Sequence, residues 1–444
     1  MIGALHRRLG DPSLPARLQA LAADAPAAAP LSLSIELGRG AADWLAALPA
    51  SGTFWYQAQP AHDLYRLGLG HALQVGSSGP NRFAALDNAF AGLAGAWRHN
   101  APALAFCGFA FDEHNQAPLP NALLAIPAIL LESQRGDCRA ILSSTAGKIA
   151  QATDGWQKLL AAPSPATGFR LLPGHPHTLA DRAWIARVRA ALRDIGGGQV
   201  DKIVLARSRQ LNADAPIPPG HLLAALIEQQ PEAMIYAFGN GQSAFLGATP
   251  ERLVSLAGRH LEADALAGTA WPGSLALGAP KNRHEQALVT EAIVAALAKC
   301  CVAAPRSGPV EIHEAGSVSH LRSRISGIAQ PGVTLFDLVR TLHPTPAVGG
   351  FPGAAAASWL ATHGELRNGW YSGGFGALGV NGNGEFHVAL RSAMIDSQRI
   401  ELHAGAGIVA GSDPQHELAE TEAKIATLLA ALTAPHARDD SARA

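Results

Sequence analysis

The sequence predicts an α+β fold, in which runs of antiparallel strands are kept apart from long helices, and not a doubly wound parallel sheet. Three observations point there. Strand-like segments follow one another with only turn residues between them. The stretch GGFGALGVNGNGEFHVALRSAMI holds two Asn-Gly steps between alternating segments, a hairpin signal. Helical periodicity is confined to separate, longer segments. The 444 residues, 48% of them hydrophobic, suffice for a large buried core. Length alone allows two or three domains.

Taken in order, the residues up to about 160 alternate short apolar strands with Pro and Gly turns. FCGFAFDE (106–113) and ALLAIPAILLE (122–132) are examples, and no chemical motif falls among them. A Pro- and Gly-rich loop over 162–178 reads as a linker or a long surface connection. From Leu179 the signals sharpen. Trp184, Ile185, Val188, Leu192 and Ile195 follow helical spacing until Gly196-Gly197-Gly198 stops the helix. DKIVLAR (201–207) reads as a strand with Lys202, Val204 and Ala206 on one face and Ile203 and Leu205 on the other. MIYAFGN and AFLGA are two more strands. Residues 284–300 form a helix whose expected buried stripe is Leu288, Ala292, Ile293, Ala296 and Leu297. In the hairpin region Phe386, Val388 and Leu390 face one way, and His387, Ala389 and Arg391 the other. AGAGIVAGSDP (404–414) reads as a small-residue loop leading into a last helix, with Asp413 as cap and Pro414 at its first position. Leu418, Ile425, Leu428, Leu429 and Leu432 give that helix its apolar face. The tail after Pro435 is polar and expected to fray.

Composition excludes several classes. The net charge is −1 and the charged fraction 16%, with no basic run, so there is no footprint for nucleic acid. The segment MIGALHRRLGDPSLPARL lacks the apolar core of a secretory signal. The longest apolar stretch, 122–131, contains Pro127 and falls short of the ~20 residues a bilayer span needs. Cys107, Cys138, Cys300 and Cys301 show no CxxC pattern; the vicinal pair ends a helical pattern and reads as packing. The expectation is a reducing, cytoplasmic setting and, by default, a monomer.

Some residues could carry chemistry. Glu417, Glu420 and Lys424 share one helical stripe. They are a solvated charge ladder, or, with Glu285 from a second helix, a carboxylate set of the kind hydrated Mg²⁺ prefers. The small residues before that helix let backbone N–H groups approach an anion at a helix N-terminus. Lys202, among small and apolar strand residues, is either a lysine at a strand entrance or a base made by desolvation. Glu251, after Pro250, reads as a turn residue or an acid. Arg391, within an alternating apolar strand, calls for an anionic partner such as a substrate carboxylate. Thr269 follows Gly268, another place where backbone can approach an anion. His320 and His343 read equally well as core histidines.

Together these segments resemble the chorismate-utilising enzymes, the family of anthranilate synthase component I, aminodeoxychorismate synthase, salicylate synthase and isochorismate synthase. The matching segments are DKIVLAR, GATPERL, ALAGT, NRHEQALVTEAI, VSHL, LHPTPAVGG, GWYSGGFG, FHVALRSA and AGAGIVAGSDPQHELAETEAK, in the family's order from about 179 to 430. FCGFAFDE is also family-like. The resemblance implies one large α+β domain with antiparallel sheets sandwiched by helices. It would comprise an N-terminal part (1–170), a chorismate-binding catalytic part (171–435) and a polar tail (436–444). It implies that Glu285 and Glu420 hold Mg²⁺ with Glu417 close by. Gly268, Thr269, Gly405, Gly407 and Lys424 would bind the ring carboxylate of chorismate. Arg391 and Tyr371 would grip the enolpyruvyl carboxylate, with Ala347 and Leu390 also at the substrate. Lys202 would be the general base, Glu251 the general acid, and His320 would lie beside the ring.

Within the family, members that add ammonia lack the strand lysine, so Lys202 favours water as nucleophile. Aminodeoxychorismate synthases carry a nucleophilic lysine before the Gly-Thr pair; here that residue is Ala267. LHPTPAVGG, with Ala347 and Val348, looks like the isochorismate synthases. The expected activity is therefore Mg²⁺-dependent conversion of chorismate to isochorismate, by adding water at C2 with loss of the C4 hydroxyl. The alternatives are a salicylate synthase, an anthranilate or aminodeoxychorismate synthase component with a glutaminase partner, and a non-catalytic chorismate-binding or assembly protein. Whether the product feeds siderophore, menaquinone or salicylate formation is set outside this chain. Three positions depart from the family: Ala270-Trp271 where many relatives place an Arg, Asn368 where Arg is usual with Arg367 one position early, and Asn282 in place of a common acid.

Overall fold

Many strands of this chain are apolar on both faces, and such strands are stable only when covered on both sides. Ile203 and Leu205 pack into one core cluster, while Ala206, on the opposite face of the same strand, packs into another. A computed structural model describes residues 1–435 except 42, 50, 116–117, 162–167, 175–177, 272–274, 316–317 and 366. Among the described residues, two large sheets meet face to face across an aromatic core centred on Trp55, Phe106, Phe238 and Trp370. Helices cover the outer faces, including Pro219–Gln229 and Pro414–Leu432 on one side and Arg82–Ala96, Pro280–Ala298 and Leu335–Leu342 on the other.

Among the described residues the larger sheet has 12 strands and the smaller 10, and strands from before and after residue 170 lie in both. The strand Lys202–Asn212 (the Lys202 strand) sits near one edge of the larger sheet, between the short Gly350–Phe351 and the long Arg399–Val409. In the smaller sheet His260–Ala270 pairs with Val318–Ile328, and a β-bulge at Gly268 interrupts the register. Among the described residues the ladders are antiparallel except where Pro30–Arg39 meets Arg98–His99. These features agree with an α+β domain of antiparallel sheets and helices.

Several elements differ from the sequence reading. Pro127 splits ALLAIPAILLE into Ala122–Ile126 of the smaller sheet and Ile129–Gln134 of the larger. FCGFAFDE is strand only as far as Phe109. The helix Pro280–Ala298 buries Glu285, Gln286, Val289, Ile293 and Leu297, while Leu288, Ala292 and Ala296 are half-buried. Its face is rotated because Gln286 reaches Ala265 O (3.1 Å) and Ser323 Oγ (3.2 Å) in the sheet beneath. AGAGIV is not a loop but the end of the strand Arg399–Val409, paired with the Lys202 strand from Gly405↔Ala206 to Val409↔Lys202. Arg391 is not within a strand. Gly384–Val388 belongs to the smaller sheet and Ser392–Asp396 to the larger, and Arg391 lies in the crossing between them with φ +49°.

The last helix begins as expected: Asp413 Oδ1 accepts from Gln415 N and His416 N, with Pro414 at the first position. Leu418 and Leu429 are half-buried, whereas Ile425, Leu428 and Leu432 are in the core. Of the loop over 162–178, residues 162–167 and 175–177 lie outside the described residues, as does the tail from 436. All four cysteines are free, and no described helix is long and apolar enough to cross a membrane.

Candidate active site

The crossings between the sheets open onto a recess of about 670 Å³ including its mouth. Its lining contains Lys202, Glu251, Gly268, Thr269, Glu285, His320, Ala347, Tyr371, Leu390, Arg391, Gly405, Gly407, Glu420 and Lys424. Glu417 stands behind this surface, 2% exposed. Sequence positions more than 220 apart are thus brought to one place.

Each group is set by its element. Lys202 opens its strand with its ammonium fully buried, and Nζ lies 2.8 Å from Glu285 Oε1. A Cβ on Gly407 would fall 2.7 Å from both Lys202 Cε and Glu285 Oε1. One on Gly405 would fall 2.7 Å from the Tyr371 hydroxyl. These glycines leave empty space on a strand, and 404–409 is strand where a loop was expected. Gly268 does take φ +67°, at the bulge, where it abuts Asn282 at the start of the covering helix.

Glu251 lies in the other sheet crossing, just past Thr249, and is 2% exposed. Burial, with the nearby Asp264 charge adding to it, pushes its carboxyl up to about 8 despite Lys202 and Lys424. Its Oε1 has no hydrogen-bond partner among the described residues. Burial thus favours the proton-bearing form of Glu251.

His320 and Arg391 form a fixed pair. Arg391 Nη2 donates to His320 Nε2 at 3.0 Å, and His320 Nδ1 lies 3.2 Å from Gly268 O and 3.3 Å from Thr269 Oγ1. Burial and then the Arg391 charge hold the imidazole well below its ordinary value. Neutral His320 therefore carries its proton on Nδ1, toward Gly268 O. Arg391 is buried, and burial lowers its guanidinium to about 10. It donates to Ala315 O at 3.1 Å, and among the described residues no carboxylate comes within ion-pair distance of it. A carboxylate ligand would supply the missing charge.

Three carboxylates meet three lysines at the opposite wall. Glu285 faces Lys202, Glu417 holds Lys281 at 2.6 Å, and Glu420 holds Lys424 at 2.6 Å. Burial works against the charge on Glu420, but Lys424, Lys281 and the Thr269 hydroxyl together outweigh it and keep the carboxyl low. Burial and then Glu420 raise Glu417. Lys424 also donates to Gly405 O at 2.8 Å. The Glu417–Glu420–Lys424 stripe is thus mostly buried and not a solvated ladder. As placed, the acids do not form a ready three-ligand cluster among the described residues. Their donor set is nonetheless all oxygen, with Glu285 and Glu420 both at the recess surface, and that chemistry fits Mg²⁺ retaining its waters.

Among the departures, Asn368 is exposed and bonds Glu401, away from the recess. Arg367 is buried behind it. Asn282 is buried against Gly268. Ala270 is buried at the end of its strand, and Trp271 is half exposed. His343 is a core histidine, bonded to Ser372 O at 2.9 Å and flanked by Phe109 and Phe111.

Sequence reasoning missed Lys281, Ser372 and His403. His403 stacks on Tyr371 with ring centroids 5.2 Å apart, and its Nε2 is unpartnered among the described residues. It alternates with Gly405 and Gly407 on one strand face, a period-2 signal that the strand assignment would have exposed.

A family model described as chorismate binding enzyme matches residues 21–433. A salicylate biosynthesis isochorismate synthase of Pseudomonas aeruginosa is 34% identical over 414 residues, covering 85% of this chain and 84% of that protein. The isochorismate synthase MenF of Bacillus subtilis is 33% identical over 260 residues, 56% of this chain and 55% of that one. Among solved structures, the menaquinone-specific isochorismate synthase MenF of Escherichia coli aligns at a TM-score of 0.81 with 26% identity, covering 97% of this chain and all of that one. Anthranilate synthase component I of Streptococcus pneumoniae shares the fold at a TM-score of 0.66 and 18% identity, over 82% of this chain and 92% of that one.

Proposed function

This chain belongs to the chorismate binding enzyme family, and from that premise we propose that it is an isochorismate synthase, converting chorismate to isochorismate with Mg²⁺. The observation that carries the reading is that Lys202 and the buried Glu251, from different sheets, line one recess. A water nucleophile has to lose a proton and the departing hydroxyl has to gain one, so the reaction needs both a base and an acid. Ala267 offers no amine before the Gly-Thr pair, which disfavours a covalent amination route.

In this reading Arg391 and Tyr371 hold the enolpyruvyl carboxylate, and Thr269 and Lys424 orient the ring carboxylate. Lys202, as the neutral amine when substrate is bound, takes the proton of a water that attacks ring C2 and becomes the ammonium. The double bonds shift, and Glu251 protonates the C4 hydroxyl as it leaves. Neutral His320 keeps Arg391 aimed at the substrate. Glu285 and Glu420, with Glu417 close by, would hold Mg²⁺, which when bound neutralises the ring carboxylate and the charge that develops beside it.

The test is incubation with chorismate and Mg²⁺, with the product identified by mass and ultraviolet spectrum, with and without EDTA. Isochorismate that forms only without EDTA supports the reading. Salicylate fluorescence points to a salicylate synthase, a product that requires ammonia to an aminating subunit, and binding without turnover to a non-catalytic protein.

A further inference from the structure

We propose that Arg367 and Glu365 form a buried ionic clamp that sets the Lys202 strand against the wall formed by residues 347 and 348, making Arg367 a positioning residue for the reaction; this rests on the function proposed above. The need arises from the sheet edge. The neighbouring strand Gly350–Phe351 pairs with the Lys202 strand only at Lys202 and Ile203. Beyond that point the edge offers backbone groups that no strand satisfies, and buried backbone groups require partners.

Side chains take that place. Arg367 Nη2 donates to Val204 O and Nη1 to Val348 O, both at 2.8 Å. Its Nε faces Glu365 Oε1 at 3.4 Å, and its guanidinium lies 3.8 Å from the ring centre of Phe111. Glu365 Oε1 accepts from Ala206 N at 2.6 Å. Arg187 ion-pairs with Glu365 and donates to Ala206 O at 3.3 Å. The forked guanidinium thus joins two walls of the recess, since Val204 and Val348 both line it. Neither Arg367 nor Glu365 lines the recess, so neither contributes a substrate contact there. Val204 is two residues from Lys202 on the same strand face, so slack at Val204 O is passed to the position of Nζ.

The experiment compares kcat, KM and the denaturation midpoint of Arg367→Lys and Glu365→Gln with wild type. Lysine keeps the charge but is a point donor that cannot span two carbonyls. Misplacement of a reacting group by an ångström costs up to about 100-fold, so Arg367→Lys should lose about 10- to 100-fold in kcat with KM within about threefold. The isosteric Glu365→Gln should lose less, in the same direction. Should Arg367→Lys not fold, Glu365→Gln decides. Wild-type kcat with a lowered denaturation midpoint would mark a purely structural role and overturn the proposal, as would a loss confined to KM. If wild type itself does not turn over chorismate, the functional reading falls and the clamp's catalytic role with it. If wild type is active and the variants match it, only the clamp falls.

Discussion

Two pairs of short crossings between the sheets make an instructive contrast. In the N-terminal pair, at residues 70–72 and 127–128, Ala72 N donates to Ile126 O (2.8 Å) and Ala128 N to Gly70 O (3.3 Å). In the C-terminal pair, at 250–251 and 389–391, Val388 N donates to Glu251 O (3.0 Å) and Ala248 N to Arg391 O (3.2 Å). The backbone device is the same, but the side chains are not. The first pair is closed by Gly70, at φ +57° against Leu159, and by Pro127 packed over Gly68. The second carries a buried acid and a buried guanidinium, and Arg391 holds φ +49° despite its full side chain. One device therefore seals a core in one half and opens a charged recess in the other. Strain and buried charge gather where a ligand can use them.

The largest effects should come from the proton-transfer groups of the charged pair and its partner. Lys202→Ala and Glu251→Gln should each lower kcat by about 10²–10⁴-fold, the usual reach of a positioned acid or base. Near-normal turnover in either variant would move that role elsewhere. With the Glu251 carboxyl at about 8, wild-type kcat should fall as pH rises through about 8 and the acid loses its proton. The residual activity of Glu251→Gln should lack that limb.

Arg391→Gln should act mainly on binding. Hydrogen bonds to a charged group contribute about 1.5–3 kcal/mol, so KM for chorismate should rise about 10- to 100-fold. An unchanged KM would detach Arg391 from the substrate. At the apolar crossing, Gly70→Ala forces a left-handed backbone on an L residue at about 1–2 kcal/mol, seen as a lower denaturant midpoint. Its kcat per folded molecule should not change; a parallel fall in kcat would mean that the two crossings are not independent.

The sequence reading located most of this recess because motif residues such as Lys202, Glu251 and Glu420 sit at fixed offsets within short segments. What it misjudged were features decided by packing. The Ala/Gly-rich 404–409 has weak strand propensity and became a strand because it pairs with the Lys202 strand, where glycine leaves room for Lys202 and Glu285. The helix Pro280–Ala298 turned a polar residue, Gln286, inward because the sheet beneath offers it partners, which an apolar-stripe reading cannot anticipate. The positive φ at Arg391 has no compositional signal. Lys281 meets Glu417 across 136 positions, and no local spacing announces such a pair.

The central claim is that Lys202 delivers solvent water to the ring. Running the reaction in H₂¹⁸O and analysing isochorismate by mass spectrometry tests it most directly. The account predicts that the new C2 hydroxyl carries the label, raising the product mass by the ¹⁸O–¹⁶O difference over the water control. Isochorismate formed without label, its hydroxyl carried over from C4, would contradict it.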